Sequence, residues 1–146
     1  EIWLISSDRD WDLLIQEDVS RFSTVTRKEI TLDNWEDHYD VEPDKYLTLK
    51  CLAGDTGDNI PGIAGIGPKR AVGLIDQYGD LYDIYNSCPI DSKYKFIQSL
   101  NENVERLLLN AELMDLESYS EQALIEADMN LEDLSSEILE YLNDTD

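Results

Sequence analysis

All seven glycines of this chain fall between positions 54 and 79. Glycine inside a helix or strand costs about 0.5–1 kcal/mol relative to alanine and is the default where a backbone turns left-handed or another group approaches closely. The rest of the chain is therefore free to be regular, and one loop carries the tight geometry. Within it, NIPGIAGIGPKRA sets Ile60, Ile63 and Ile66 at every third position, with Gly62, Gly65 and Gly67 between them. The isoleucines can anchor the loop to a core while the glycines leave backbone N–H groups uncovered. Pro68 suits the first turn of a helix, whose free amides favour an anion. Lys69 and Arg70 in that turn oppose the helix dipole; facing a phosphate explains them better. Such a loop would hold nucleic-acid backbone without reading sequence. The plainer alternative is a structural hairpin between two helices, with Lys69 and Arg70 solvated.

The net charge of −22, with a pI near 4.1, at first excludes a phosphate partner, because such binding leaves a basic footprint. Its distribution removes the objection. Residues 101–146 carry 14 acids and one base, Arg106, whereas residues 51–100 carry 6 acids and 4 bases. The near-neutral middle contains the glycine loop. Binding is then expected to be weak, salt-sensitive and dependent on divalent ions.

Around the loop the patterns are mainly helical. Ile2–Ser6 is a continuous apolar run and predicts a strand buried on both faces. Such a strand needs neighbours on either side, so the expectation is the C-terminal part of a longer protein. A short helix is expected over 10–17, with Trp11, Leu14 and Ile15 inward, and short strands over 19–23 and 29–32. Asp33 is a candidate N-cap for a helix through Tyr39, and Pro43 opens a helix reaching about Ala53. Pro68 opens another that Gly79 stops. Leu81–Tyr85 is a further turn, Ser92–Leu113 is helical with a break near 101–103, and a last amphipathic helix covers 131–142.

Two pairs of aspartates flank this frame. Asp8 and Asp10 follow the first strand; in extended chain, positions i and i+2 point the same way, out of the strand end where α/β sheets bind ligands. Asp55 and Asp58, in AGDTGDN, share a face if the chain is helical there. Paired carboxylates suit Mg²⁺ or Mn²⁺, and two ions roughly 4 Å apart can hydrolyse a phosphodiester. Helix caps and Asx-turns are the alternative for both pairs. Asp12 fits a first helical turn. His38, the single histidine, has no partner at zinc spacing and reads as surface. Cys51, Trp3, Trp11 and Trp35 read as core, and Tyr78, Tyr82 and Tyr85 as helix packing. Two cysteines make no disulfide framework and fit a reduced, cytoplasmic setting. No apolar run reaches the roughly 18–20 residues of a membrane span.

ISSDRDWDLL followed by LKCLAGDTGDNIPGIAGIGPKRAVGLI resembles the 5′ nucleases: flap endonucleases, especially those of bacteriophages, and the 5′–3′ exonuclease domains of bacterial DNA polymerases. The resemblance runs to about Leu113. It implies an α/β, mainly helical fragment: part of a PIN-like parallel sheet (1–40), a helix–three-turn–helix DNA-binding domain (41–114) and an acidic helical segment (115–146). Asp8, Asp10, Asp55 and Asp58 match the family's catalytic metal ligands for two Mg²⁺ or Mn²⁺ ions. Gly62, Gly65, Gly67, Lys69 and Arg70 match the hairpin that grips DNA, whose carbonyls also hold K⁺ in the family. Lys50 matches a lysine near the DNA; a helix lysine reaching out to solvent is the alternative. The implied partner is branched or 5′-ended duplex DNA, bound without sequence preference. The carboxylates and helical arch that the family draws from earlier strands are not in this chain. Cleavage is thus expected only with the N-terminal part, on the same or another chain. Two alternatives stay open: a DNA-binding module that does not cut, and an assembly subunit whose acidic end meets a basic partner.

Overall fold

The computed structural model describes residues 1–115 and Glu140. The helix expected over 131–142 lies outside the described residues apart from Glu140, as does the acidic segment apart from Asp115 and Glu140. Residues 1–115 form one unit, and the fold is helix-rich α/β.

The chain enters as β1 (Ile2–Ile5), which lies parallel to β2 (Val19–Phe22) with Ile2 opposite Val19 and Ile5 opposite Phe22. β3 (Glu29–Ile30) closes the small sheet antiparallel to β2. The parallel pair needs a crossover, and here a 3-10 turn over Arg9–Leu14 supplies it in place of the expected helix over 10–17. The turn is organised by charge. Asp12 is 1% exposed and takes two bonds from Arg21 of β2, at 2.5 Å from Nε and 3.0 Å from Nη2. Arg21 also donates to the Ser6 carbonyl at the end of β1, 3.0 Å away, and the Tyr39 hydroxyl donates to Asp12. A buried carboxylate thus ties both strands and the segment after β3 to one point, which is more than the first-turn role expected of Asp12. Burial and the Asp12 bond push the Tyr39 hydroxyl well above the ordinary tyrosine range.

β1 itself departs from expectation. Ile2 and Ile5 are 56% and 62% exposed and Trp3 is 40% exposed. β2 is the single strand hydrogen-bonded to β1 among the described residues, so one edge and much of both faces stay open. Trp11 is also exposed, and of the three tryptophans only Trp35 is core. The expected helix from Asp33 is reduced to a 3-10 turn over Trp35–Asp37. Asn34 precedes it, and its side chain accepts from Thr31 N–H instead of capping the turn.

A turn at Pro43–Lys45 leads into α1 (Tyr46–Ala53). Two residues each form β4 (Gly54–Asp55) and β5 (Ile60–Pro61), an antiparallel clasp across the loop. α2 (Pro68–Tyr78) starts and stops where Pro68 and Gly79 place it. α3 (Leu81–Ser87) begins on a reciprocal cap between Asp80 and Asp83. α4 (Lys95–Glu102) and α5 (Val104–Met114) break at Asn103. Their shared core includes Cys51 and Leu52 of α1, Leu74 of α2, Ile84 of α3, Leu100 of α4 and Leu107 of α5. Burial pushes the Cys51 thiol up to about 12. Ile63 and Ile66 enter the same core at 3% and 4% exposure, so the three-residue isoleucine spacing does anchor the loop. A second cluster of Ile15, Ile30, Trp35 and Tyr46 lies beneath the sheet segment, and Leu49 packs against both.

The loop is held to α1 by backbone contact. Gly62 lies so close that a Cβ there would sit 2.4 Å from both the Ala53 carbonyl carbon and the Leu52 oxygen. From α5, the fully buried Asn110 amide donates to the Cys51 and Pro61 carbonyls at 3.0 and 2.9 Å. Gly62→Ala is therefore expected to destabilise the fold by about 1–3 kcal/mol, since the obstructing atoms are backbone. Gly67→Ala, with no described atom within 4 Å of its Cβ position, meets no such obstruction and should cost less, about 0.5–1 kcal/mol, as an N-cap change. Urea unfolding midpoints of the two variants check the contrast.

Candidate metal centre and hairpin

The end of α1 meets the start of the crossover turn. Asp10 stands in that turn, just past the carboxyl end of β1. Asp55 and Asp58 stand in the clasp that follows α1. One carboxylate oxygen from each of Asp10, Asp55 and Asp58 lies within 4.8 Å of the others. Thus one member of the first aspartate pair joins both members of the second. Asp8 does not join them. Its side chain caps the 3-10 turn, accepting from the Asp10 amide at 3.0 Å. The i, i+2 expectation assumed extended chain, and the turn begins before Asp10. Asp8 still lines the cleft, of about 790 Å³, into which the other three open.

The pairing of Asp55 with Asp58 is not helical. α1 ends at Ala53, and the Asp55 carboxylate accepts the amides of Gly57 and Asp58 at 3.0 and 3.2 Å. This Asx-type turn bends the chain so that both carboxylates face Asp10. The capping alternative and the convergent arrangement are therefore both realised.

Lys50 is the residue whose importance the sequence understates. It is 8% exposed, and its ammonium pairs with Asp10 and, at 2.7 Å, with Asp55. It does not reach out to solvent. A cation in an otherwise apolar helix, YLTLKCLA, was the signal: a buried charge needs partners. Its protonated form is held well above the ordinary lysine range, because the Asp10 and Asp55 bonds outweigh the opposing effect of burial. The two carboxylates diverge. Burial, then a shared bond with Asp58, raise Asp10 from 3.8 to about 6 against the opposite pull of Lys50. The Lys50 bond takes Asp55 down to about 2. Three hard oxygen donors around one point suit a single Mg²⁺ or Mn²⁺; a second ion needs further ligands.

A divalent ion must displace any proton on Asp10. Mn²⁺ affinity is expected to fall about tenfold per pH unit below about pH 6 and to level off above it. Mn²⁺ electron-spin resonance across pH 5–8 measures this; a flat profile would mean that Asp10 is already ionised throughout that range.

The hairpin lies beside this cleft, whose wall includes Pro68 and Val72 of α2. Gly65 has φ of +81°, a left-handed turn that glycine takes without strain. The amides of Gly67, Lys69 and Arg70 have no backbone acceptor among the described residues, so three N–H groups remain for an anion. Lys69 is exposed. Arg70 is exposed but engaged: it donates to the Gly65 carbonyl at 2.7 Å and lies over the Phe96 ring at 4.4 Å. It first of all fixes the hairpin. Gly62 serves packing and Gly67 faces open space, so the glycines of the loop divide their work.

Residues 41–138 match the family model described as the 5′-3′ exonuclease C-terminal SAM fold. The chain belongs to this 5′-3′ exonuclease family. It is 40% identical over 141 residues to a flap endonuclease of Escherichia phage T5, covering 95% of this chain and 48% of that protein. A 5′-3′ exonuclease of Halalkalibacterium halodurans is 33% identical over 115 residues, covering 76% of this chain and 38% of the relative. The structure of a phage T5 flap endonuclease pseudo-enzyme-product complex with DNA and metal ions superposes with a TM-score of 0.85 at 40% identity, over 96% of this chain and 52% of that one. A phage T5 5′-exonuclease with bound zinc gives a TM-score of 0.83 at the same identity and coverage. The chain thus spans about half the length of these phage relatives.

Proposed function

We propose that this chain is the C-terminal part of a structure-specific 5′ nuclease, a flap endonuclease and 5′–3′ exonuclease that hydrolyses DNA phosphodiester bonds. The observation that carries this reading is the convergence of Asp10, Asp55 and Asp58 beside a hairpin with free amides. The three carboxylates would hold Mg²⁺ or Mn²⁺. A bound ion there would lower the pKa of a water and offset charge on the leaving oxygen. A two-ion arrangement would add Asp8, from the same cleft, and carboxylates of the N-terminal part.

The chain's own residues divide the remaining work. Gly67, Lys69 and Arg70 amides and the Lys69 ammonium would position duplex backbone, which explains tolerance of sequence. Lys50, released from the carboxylates when they take a metal ion, would face the DNA from the cleft wall. K⁺ at the hairpin carbonyls remains part of the proposal, with Arg70 already placing a cation on that of Gly65. The proposed division is 1–40, 41–114 and 115–146; Ile15, Ile30 and Trp35 of the first part belong to one apolar cluster, and the helices of the second part build the other. The proposed setting is cytoplasmic; no described helix is long and apolar enough to cross a membrane.

Cleavage is assayed on a 5′-flap substrate with Mg²⁺, for this chain alone and with the N-terminal part supplied. Cleavage only in the combined sample is expected. Robust cleavage by residues 1–146 alone overturns the dependence on that part, and inactivity of the combined sample overturns the nuclease reading.

A further inference from the structure

A second cavity opens at the sheet, on the other side of Arg9 and Tyr39 from the carboxylate cleft. It is small, about 170 Å³, and its lining includes Arg9, Arg21, Lys28, His38, Ser23 and Thr26. Among the described residues no carboxylate lines it. That is unusual in a chain with 33 acids and 11 Lys and Arg, three of which meet here.

The cations are held differently. Arg21 is 4% exposed and spends three N–H groups on Asp12 and Ser6. A guanidinium has five, so two remain. Its charge is matched from behind by Asp12, which fixes it as a rigid floor. Arg9 and Lys28 make no ion pair among the described residues. They leave the cavity with net positive charge. The His38 ring adds an N–H donor, and Ser23 and Thr26 add hydroxyls. The Thr26 amide is bonded to the Ser23 hydroxyl at 3.2 Å, which orders the loop carrying both. Forked guanidinium donors, a lysine and hydroxyls around a small polar hollow suit a tetrahedral oxyanion.

We propose that this pocket binds a phosphate group. It is separate from the hairpin, and the proposal does not rest on the nuclease reading. Arg9, His38 and Tyr39 line both this pocket and the carboxylate cleft. A strand crossing the cleft can therefore reach it, and a free phosphate can enter it directly.

The test is an amide NMR titration of this chain at constant ionic strength, first with inorganic phosphate and then with a short single-stranded oligonucleotide. Saturable shifts are expected at Ser7, Ser23, Thr26 and Lys28. They should weaken on the order of tenfold or more in Arg9→Ala/Lys28→Ala, from the loss of charge-assisted bonds. Arg9→Lys/Lys28→Arg should restore much of the effect, separating lost charge from lost fold. If the oligonucleotide saturates these shifts at far lower concentration than phosphate, the ligand is a strand phosphate; if phosphate alone produces them, it is a free anion. No saturable shift with either, or shifts unchanged in the alanine double variant, overturns the proposal. Because cleavage is not the readout, failure here leaves the nuclease reading standing.

Discussion

Asp12→Ala is expected to destabilise the fold by about 3–5 kcal/mol, the cost of leaving one member of a buried ion pair alone. Arg21 stays charged at any accessible pH, and at 4% exposure water can replace little of what Asp12 gives it. The Tyr39 hydroxyl loses its acceptor in the same change. Such a loss is a large fraction of the roughly 5–15 kcal/mol that holds a domain. Replacing both partners by apolar residues, as in Asp12→Leu/Arg21→Met, should cost much less, since no charge is stranded. Chemical denaturation of the single and double variants decides it. A loss below 1 kcal/mol in Asp12→Ala would mean that the pair is solvated.

Asp55→Asn and Asp58→Asn, each made in the chain supplied with the proposed N-terminal part, are expected to lower cleavage on the order of 10³-fold, because a held ion supplies several kcal/mol to the transition state. Duplex binding should fall far less than cleavage, since the hairpin amides and Lys69 stand apart from the carboxylates. Lys69→Ala should show the opposite pattern: weaker binding of every duplex tested and a salt slope reduced by about 1. Single-turnover cleavage and fluorescence anisotropy on the same flap separate the two. Equal loss of binding and cleavage in the aspartate variants would assign Asp55 and Asp58 to the fold.

What was legible in the sequence was local. Pro68 and Gly79 bound α2 because a proline start and a glycine stop act within one turn. Ile63 and Ile66 enter the core as their spacing requires. The Asp55–Asp58 turn was visible as an alternative because its bonds span two and three residues. The long-range pairs were not legible. Asp12 and Arg21 meet across a crossover, and Lys50 meets Asp10 from 40 positions away. The clue for Lys50 was a cation in the mostly apolar TLKCLA; Arg21, set between Ser20 and Phe22, carried no such signal. Asp8 stands outside the group that Asp10 joins for a local reason: the backbone leaves the extended form one residue too early for the two to point the same way.

Cys51 turns the same architecture into a built-in clock. Its side chain is fully enclosed on α1 between Lys50 and Leu52, and its thiol is pushed up to about 12. The thiolate is the reactive form, so alkylation at neutral pH must wait for α1 to open. Cys88, partly exposed at the end of α3, reacts without that wait. The slow half of a two-phase labelling trace therefore times the opening of the helix that carries Lys50 and leads into Asp55.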